Sequence, residues 1–212
     1  MSDLHQERNP IRNDIMERVP IKTDPKMFDL AAAQIQRVLA AGCPWLDHVF
    51  GLCERTTDMK ENKRFHSANL YVGNRQYEQI MPCNEIGNFS FMYLRDPQTI
   101  NRRDSGLVTS PFSLVIWYNM ESMSFPYDER NREAVKAQIL AILNQAHLAW
   151  MTLGRMYERP ENVFSDFSYD YVNNQFLMSP YAGFRIDGEM SVRVPCWRGS
   201  FNEDFNDDYD NH

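Results

Sequence analysis

The ten residues PFSLVIWYNM, Pro111 to Met120, constrain the fold more than any other part of the chain. As a strand they place Phe112, Leu114, Ile116 and Tyr118 on one face and Val115 and Trp117 on the other. Successive side chains of a strand point to opposite faces, so this one is apolar on both. Such a strand lies at the centre of a sheet and is covered on both sides. The rest of the chain must therefore supply neighbouring strands and two covers.

Two helices are expected as cover. Asp24 and Pro25 form a start signal, a capping side chain followed by proline at the first helical position. Met27, Leu30, Ala31, Ile35, Val38 and Leu39 follow at helical spacing, and Gly42 stops the run, so a helix is predicted over 25–41. A second helix is capped by Asp128. It carries Val135, Ile139, Leu140, Ile142, Leu143 and Ala146 as its stripe and ends near Leu153-Gly154. Between them, Trp45 to Phe50 is expected as an apolar turn and ERTTDMKENKR as a polar loop. HSANLYVG, the turn at Gly73-Asn74 and RQYEQIMP make a hairpin, and FSFMYLRDP makes a strand. RPENVFSDFSYDYVNNQ is expected to be irregular. YAGFRI and EMSVRVPCW are predicted as two strands joined by a turn at Asp187-Gly188, with Met190, Val192, Val194 and Cys196 facing in. The order implies an α+β fold: an antiparallel or mixed twisted sheet with two main helices packed on it. Residues 25–196 form a single domain, 1–24 an extended N-terminal arm and 197–212 an acidic, aromatic tail.

Charge limits the function. The net charge is −7, and −4 of it lies in the last sixteen residues, so neither part offers the basic field of a nucleic-acid binder. The first twenty residues are polar and broken by Pro10 and Pro20, unlike a signal peptide, and no run approaches a membrane span. No phosphate-binding glycine loop and no G-x-S-x-G elbow occurs. Cys43, His48 and Cys53, with Cys83 or His66 to complete four ligands, are the best zinc candidates, but their spacing departs from the usual paired cysteines. Buried thiols in an apolar turn are the simpler account. A Cys83 nucleophile with His66 or His147 lacks any local feature that would activate the thiol. No catalytic, cofactor-binding or metal-binding residue is therefore assigned. The alternatives are a small metal-dependent or hydrolytic enzyme using Cys43, His48 and Cys53, or an adaptor protein.

Rings and methionines point to assembly. Tyr71, Tyr77, Phe89, Phe91, Tyr93, Phe125, Tyr127, Tyr157, Phe164, Phe167, Tyr169, Tyr171, Phe176 and Tyr181 exceed what one core is expected to absorb, and twelve methionines add adaptable surface. In the tail, Trp197, Phe201, Phe205 and Tyr209 recur at every fourth position among five acids. Such a segment is expected to order on binding, with its rings as anchors. Ile11, Ile15 and Val19 are the corresponding apolar residues of the arm.

Two stretches carry a resemblance. LYVGNRQYEQIMPCNEIGNFSFMYLRDPQTI joins a hairpin to a strand of the "L-P-x-N-x-x-G-N-F-S-F-F" kind, and FLMSPYAGFRIDGEMSV opens with "L-M-x-P-Y-A-G-F-R". Both resemble virion proteins of tailed bacteriophages of Bacteroides-type gut bacteria, the crAss-like phages included. The order of elements over 25–196 is also similar to phage tail-terminator and neck proteins, which assemble as rings between portal and tail. The resemblance implies a non-enzymatic virion subunit, made in the host cytoplasm and built into a cyclic ring of its own copies. Its other partners would be portal, neck or tail proteins. DNA would pass through the lumen without specific binding, and no membrane is involved. The arm and the tail have no counterpart in that pattern.

Overall fold

The computed structural model describes residues 18–193 apart from 21, 23–24, 61, 74–75, 101–105, 124–128, 147, 149 and 170–171. Asp24 and Asp128, the expected caps, lie outside the described residues. The elements run α1 (Phe28–Gly42), β1 (His48–Lys60), β2 (Lys63–Gly73), β3 (Gln76–Gln79), β4 (Phe89–Leu94), β5 (Thr99–Ile100) and β6 (Leu107–Asn119). Then follow α2 (Glu129–Gln145), β7 (Met151–Tyr157), the one-turn α3 (Pro160–Val163) and β8 (Tyr181–Arg193). The fold is α+β, with helices packed on a mixed, twisted, eight-stranded sheet that does not close into a barrel. The sheet order is β3-β2-β1-β4-β6-β8-β7, with β5 paired to β6. Among the described residues the β1–β4 pair is parallel and the other pairs are antiparallel.

The two-faced strand sits where its composition requires. β6 lies between β4 and β8, and each of its faces feeds a separate core. In the first, Phe112, Leu114, Ile116 and Tyr118 meet Phe184, Ile186 and Met190 of β8 under Ile35 and Leu39 of α1 and Val135, Ile139 and Leu143 of α2. In the second, Val115 and Trp117 join Phe89, Phe91 and Tyr93 of β4 under Phe164, Phe167 and Phe176. Both helices cover one face, and the segment between β7 and β8 covers the other.

Several expectations change. ERTTDMK is not a loop but most of β1, hydrogen-bonded along its length to β2. Neither face of that ribbon is greasy, so no alternation marks it. The second helix stops at Gln145, and Met151–Tyr157 is an edge strand beside β8. The helix α1 leaves Met27 and Leu30 exposed and turns Ala32 and Gln36 inward instead. Small residues let it lie close to the sheet. Gln36 Nε2 reaches the carbonyls of Val49 and Pro20 at 2.8 and 3.3 Å. Gln138 of α2 links the helices, donating to Gly42 O at 3.0 Å and accepting from Trp45 Nε1 at 3.2 Å.

The largest correction is at Asp187-Gly188, which lies inside the unbroken thirteen-residue β8 rather than at a turn. Gly188 is there for room: a Cβ would collide with the Thr152 carbonyl of β7 and come within 2.9 Å of the Phe112 ring. Gly188→Ala is expected to destabilise the fold by about 3 kcal/mol. Urea denaturation monitored by tryptophan fluorescence checks this, since alanine at a solvated hairpin turn would cost far less.

Candidate functional site

Sequence-predicted residues are placed as follows. Ile11, Ile15, Trp197, Phe201, Phe205 and Tyr209 lie outside the described residues, as do His147 and Cys196. Val19, expected at an interface, is 4% exposed and belongs to the first core of its own chain. Its neighbour Arg18 closes the end of α1, donating from Nε to Leu46 O at 2.9 Å and from Nη2 to Cys43 O at 3.1 Å. Cations suit the free carbonyls at a helix C-terminus. Lys22 pairs with Asp29 at 3.3 Å and Glu54 at 3.5 Å. This part of the expected arm is thus anchored to the body.

The zinc candidates do not converge. Cys43 lies in the first core and Cys53 in the second, on opposite faces of the sheet. His48 stacks on Phe50 with ring centroids 5.4 Å apart. Among the described residues no group of three or more His, Cys, Asp or Glu side chains is arranged to hold a metal ion. His66 Nδ1 is bonded to Thr57 Oγ1 at 2.9 Å rather than to a thiol. Burial pushes the Cys43 thiol up to about 12 against the pull of Arg18, and burial pushes Cys53 up as well. Thiolate is the reactive form, so both should be inert in the folded protein.

The supposed surplus of rings is also resolved. Phe89, Phe91, Tyr93, Phe164, Phe167 and Phe176 are buried in the second core, beneath the segment between β7 and β8 that was expected to be irregular. Of the rings named for the surface, Tyr77 is 49% exposed, while Tyr71, Tyr157, Tyr169 and Tyr181 are half-buried. Phe125, Tyr127 and Tyr171 lie outside the described residues.

Three features remain that can carry function. The first is a partly buried quartet of charge on the second face, with Arg185 at its buried centre. Arg185 is 3% exposed; its Nη1 donates to Ser165 Oγ at 2.7 Å, and its Nε is paired with Asp187 Oδ1 at 2.9 Å. Arg95 Nη1 donates to Asp187 Oδ2 at 2.6 Å, and Ser113 Oγ donates to Asp187 Oδ1 at 2.7 Å. Burial raises the Tyr93 phenol, which stays protonated and donates to Asp166 Oδ2 at 2.8 Å. Asp166 completes the quartet, 3.4 Å from Arg95 Nε, and the Tyr157 ring lies 4.5 Å from the Arg185 guanidinium carbon. Two arginines and two aspartates balance, and their polar contacts are with one another and with Tyr93, Ser113 and Ser165. This is a fastening for residues 165–166, not a reaction centre. A charge inside the apolar run YAGFRI was the sequence signal for it.

The second feature is a cavity of about 110 Å³ where the ends of β6 and β8 meet α2 and the β7–α3 turn. Trp117, Tyr118 and Tyr181 contribute aromatic walls, and Arg132, Lys136 and Glu158 contribute charge. Lys136 Nζ lies 2.7 Å from Glu158 Oε1 and also pairs with Glu133. Burial works against the ammonium, but the bonds to Glu133 and Glu158 outweigh it and raise Lys136 above the usual lysine range. Arg132 Nε is buried with no hydrogen-bond partner among the described residues. Both cations sit on α2 one turn apart, where sequence reading saw only its apolar stripe. The site suits an aromatic group carrying a carboxylate.

The third feature is the β1–β2 ribbon. β1 pairs with β4 only as far as Cys53, yet continues seven residues further, paired with β2 alone at its tip. Arg55, Thr57, Asp58, Met59, Lys63 and Arg64 are exposed, Met59 at 69%.

No protein-family model matches the chain, and no curated protein is significantly similar to it. Of the two stretches that resemble phage virion proteins, the first builds the end of β2 with β3, β4 and β5, and the second the end of the turn at Asn174–Leu177 and most of β8. Within the first, Gly87 has φ +65°, and a Cβ there would strike Asp47. Asn88 beside it, 3% exposed, donates to Trp45 O and Ser122 Oγ at 2.9 Å and accepts from Asn119 N–H at 2.7 Å. The motif therefore holds three segments together.

Two measurements follow. Asp187→Ala leaves Arg185 buried without its main counter-charge and should cost about 3–5 kcal/mol, whereas Asp166→Asn, at a more exposed carboxylate, should cost far less; urea titration of both compares them. Thiol labelling at pH 8 with peptide mass spectrometry should leave Cys43 and Cys53 unmodified in native protein and modify both in denaturant.

Proposed function

We propose that the chain is a structural subunit of a bacteriophage virion, a ring of the neck or tail between portal and tail. The observation that carries an assembly role is the β1–β2 ribbon. From Glu54 to Lys60 it extends about 20 Å, at ~3.3 Å per residue, beyond the last β1–β4 pair. The inner part of the ribbon is held, with Ala68 buried and His66 tied to Ser168, but beyond them Asp58, Met59, Lys63 and Arg64 are exposed, and a bare two-stranded tip is marginal on its own. A neighbouring subunit supplies the missing surface. Met59 offers an apolar contact, and Arg55, Lys63 and Arg64 offer hydrogen-bond donors around it. The virion context rests on the resemblance of the two quoted stretches, which in this chain make sheet and junction rather than a reaction centre.

Head-to-tail contacts that close on themselves give cyclic rings. In that arrangement the ribbon of one copy lies on the body of the next. The net negative charge suits a lumen through which DNA slides without being held. Portal, neck or tail proteins would bind the ring above and below.

Replacing residues 58–65 by an Asn-Gly turn closes the ribbon at the Thr57–His66 pair. The body should keep its far-ultraviolet spectrum and its thermal midpoint to within a few degrees, while mass photometry shows assemblies reduced to single subunits. A wild-type protein that stays a lone monomer even with portal and tail proteins present would defeat the assembly reading. Absence of the chain from purified virions would defeat the phage reading.

A further inference from the structure

We propose that the acidic segment 197–212 turns back onto its own subunit and lies on one face of the β1–β2 ribbon. The two faces of that ribbon differ in charge. Strand pairing puts Arg55 with Ala68, Thr57 with His66 and Met59 with Arg64 on one face, that of the second core to which Cys53 and Ala68 belong. Glu54, Asp58 and Lys63 fall on the other. Arg55 and Arg64 thus share a face that carries none of the ribbon's described carboxylates. Both are exposed, and among the described residues neither has an ion-pair partner. Spacing is the second argument. Arg64 stands opposite Met59, so four residues, about 13 Å at ~3.3 Å each, separate the two arginines along the ribbon. In an extended FNEDFNDDYD, Glu203, Phe205 and Asp207 share one side, and the two acids are also four residues apart. Their carboxylates would meet the two guanidiniums, with Phe205 between them at the Thr57–His66 pair.

Reach singles out the segment's own chain. Cys53, Tyr93, Ser113 and Asp187 make one rung across β1, β4, β6 and β8, and β1 and β8 run the same way from it. The Thr57–His66 pair lies four residues past that rung and Arg193 six residues past it, at the same end of the sheet. Three strand spacings of ~4.8 Å, with a twist of ~20–25° at each, put the two places roughly 25 Å apart. Phe205 follows Arg193 by twelve residues, which span up to about 42 Å at ~3.5 Å each. A tethered segment within reach is present at an effective concentration on the order of millimolar, which a second copy at micromolar concentration does not match. The contact needs no neighbour, so it stands or falls apart from the assembly reading. In an assembly, the segment and a neighbour would exclude each other from this face.

The full chain with a photo-crosslinking benzoylphenylalanine at Phe205 tests this. Equal amounts of ¹⁴N and ¹⁵N protein are mixed at a dilution where sedimentation velocity shows single subunits, then irradiated and mapped by mass spectrometry. Crosslinks should join residue 205 to peptides of 55–66 within one chain, without mixed isotopes. Arg64→Glu should lower their yield at least fivefold. Lys63→Glu, the same change of charge at the adjacent residue but on the opposite face, should leave it within twofold; circular dichroism checks that both variants fold. Equal loss in the two variants, crosslinks elsewhere on the body, mixed isotopes or no crosslink would each overturn the proposal. Mixed isotopes would leave the assembly reading intact, whereas same-chain crosslinks in a protein that never assembles would uphold the contact and defeat the ring alone.

Discussion

The β6–β8 ladder is the constraint on which everything else depends. Thirteen residues of each strand pair without a break, from Leu107 with Arg193 to Asn119 with Tyr181. Because β6 is apolar on both sides, pairing alone leaves two greasy faces to be hidden from water, and burial of that surface is the main favourable term. The helices solve one side with alanines and branched aliphatics. The other side is solved with phenylalanines on a nearly non-repetitive segment, docked on a floor of Phe89, Phe91 and Trp117. Aromatic contacts there are edge-on, as between Trp117 and Phe164 at 5.0 Å and Tyr93 and Phe167 at 4.9 Å, a preferred geometry for rings.

Much of this was legible in the sequence wherever burial and periodicity coincide. The two-faced strand, the Gly73 hairpin, the FSFMYL strand and both long helices are present. Legibility failed where tertiary contact overrides local pattern. ERTTDMK becomes a strand because β2 pairs with it, not because it has a face to bury. MTLGRMY becomes an edge strand because β8 offers a free ladder. Asp187-Gly188 resembles a turn in sequence, but its aspartate is held by Arg95, Arg185 and Ser113, and its glycine admits β7. The need for a second cover was legible in β6, but not which segment supplies it, because phenylalanines without period carry no signature of what they cover. The same blindness hid Arg132 and Lys136, which project from the flank of a helix whose apolar stripe drew the eye.

Buried charge is used in two different ways. The Arg95–Arg185–Asp166–Asp187 quartet is neutral and internally bonded, the condition under which ions are tolerated in an interior. At the cavity Lys136 is paired with Glu133 and Glu158, but Arg132 Nε has no hydrogen-bond partner among the described residues, and aromatic walls surround it. A difference of that kind separates a fastening from a place that can still accept a ligand.

The covering segment over the second core has a further consequence. Its described residues include a turn of helix at Pro160–Val163 and a 3₁₀ turn at Asn174–Leu177. Among the described residues few hydrogen bonds of its backbone reach the sheet, among them Ser168 N–H to His66 O at 2.8 Å and Trp117 Nε1 to Phe176 O at 3.0 Å. Regions with sparse backbone pairing detach at lower free energy than the ladders beneath them. The two sides of the sheet thus differ in tempo. The aromatic strap is held chiefly by its rings and by the fastening at Ser165 and Asp166, and its amides should exchange with solvent before those of β6.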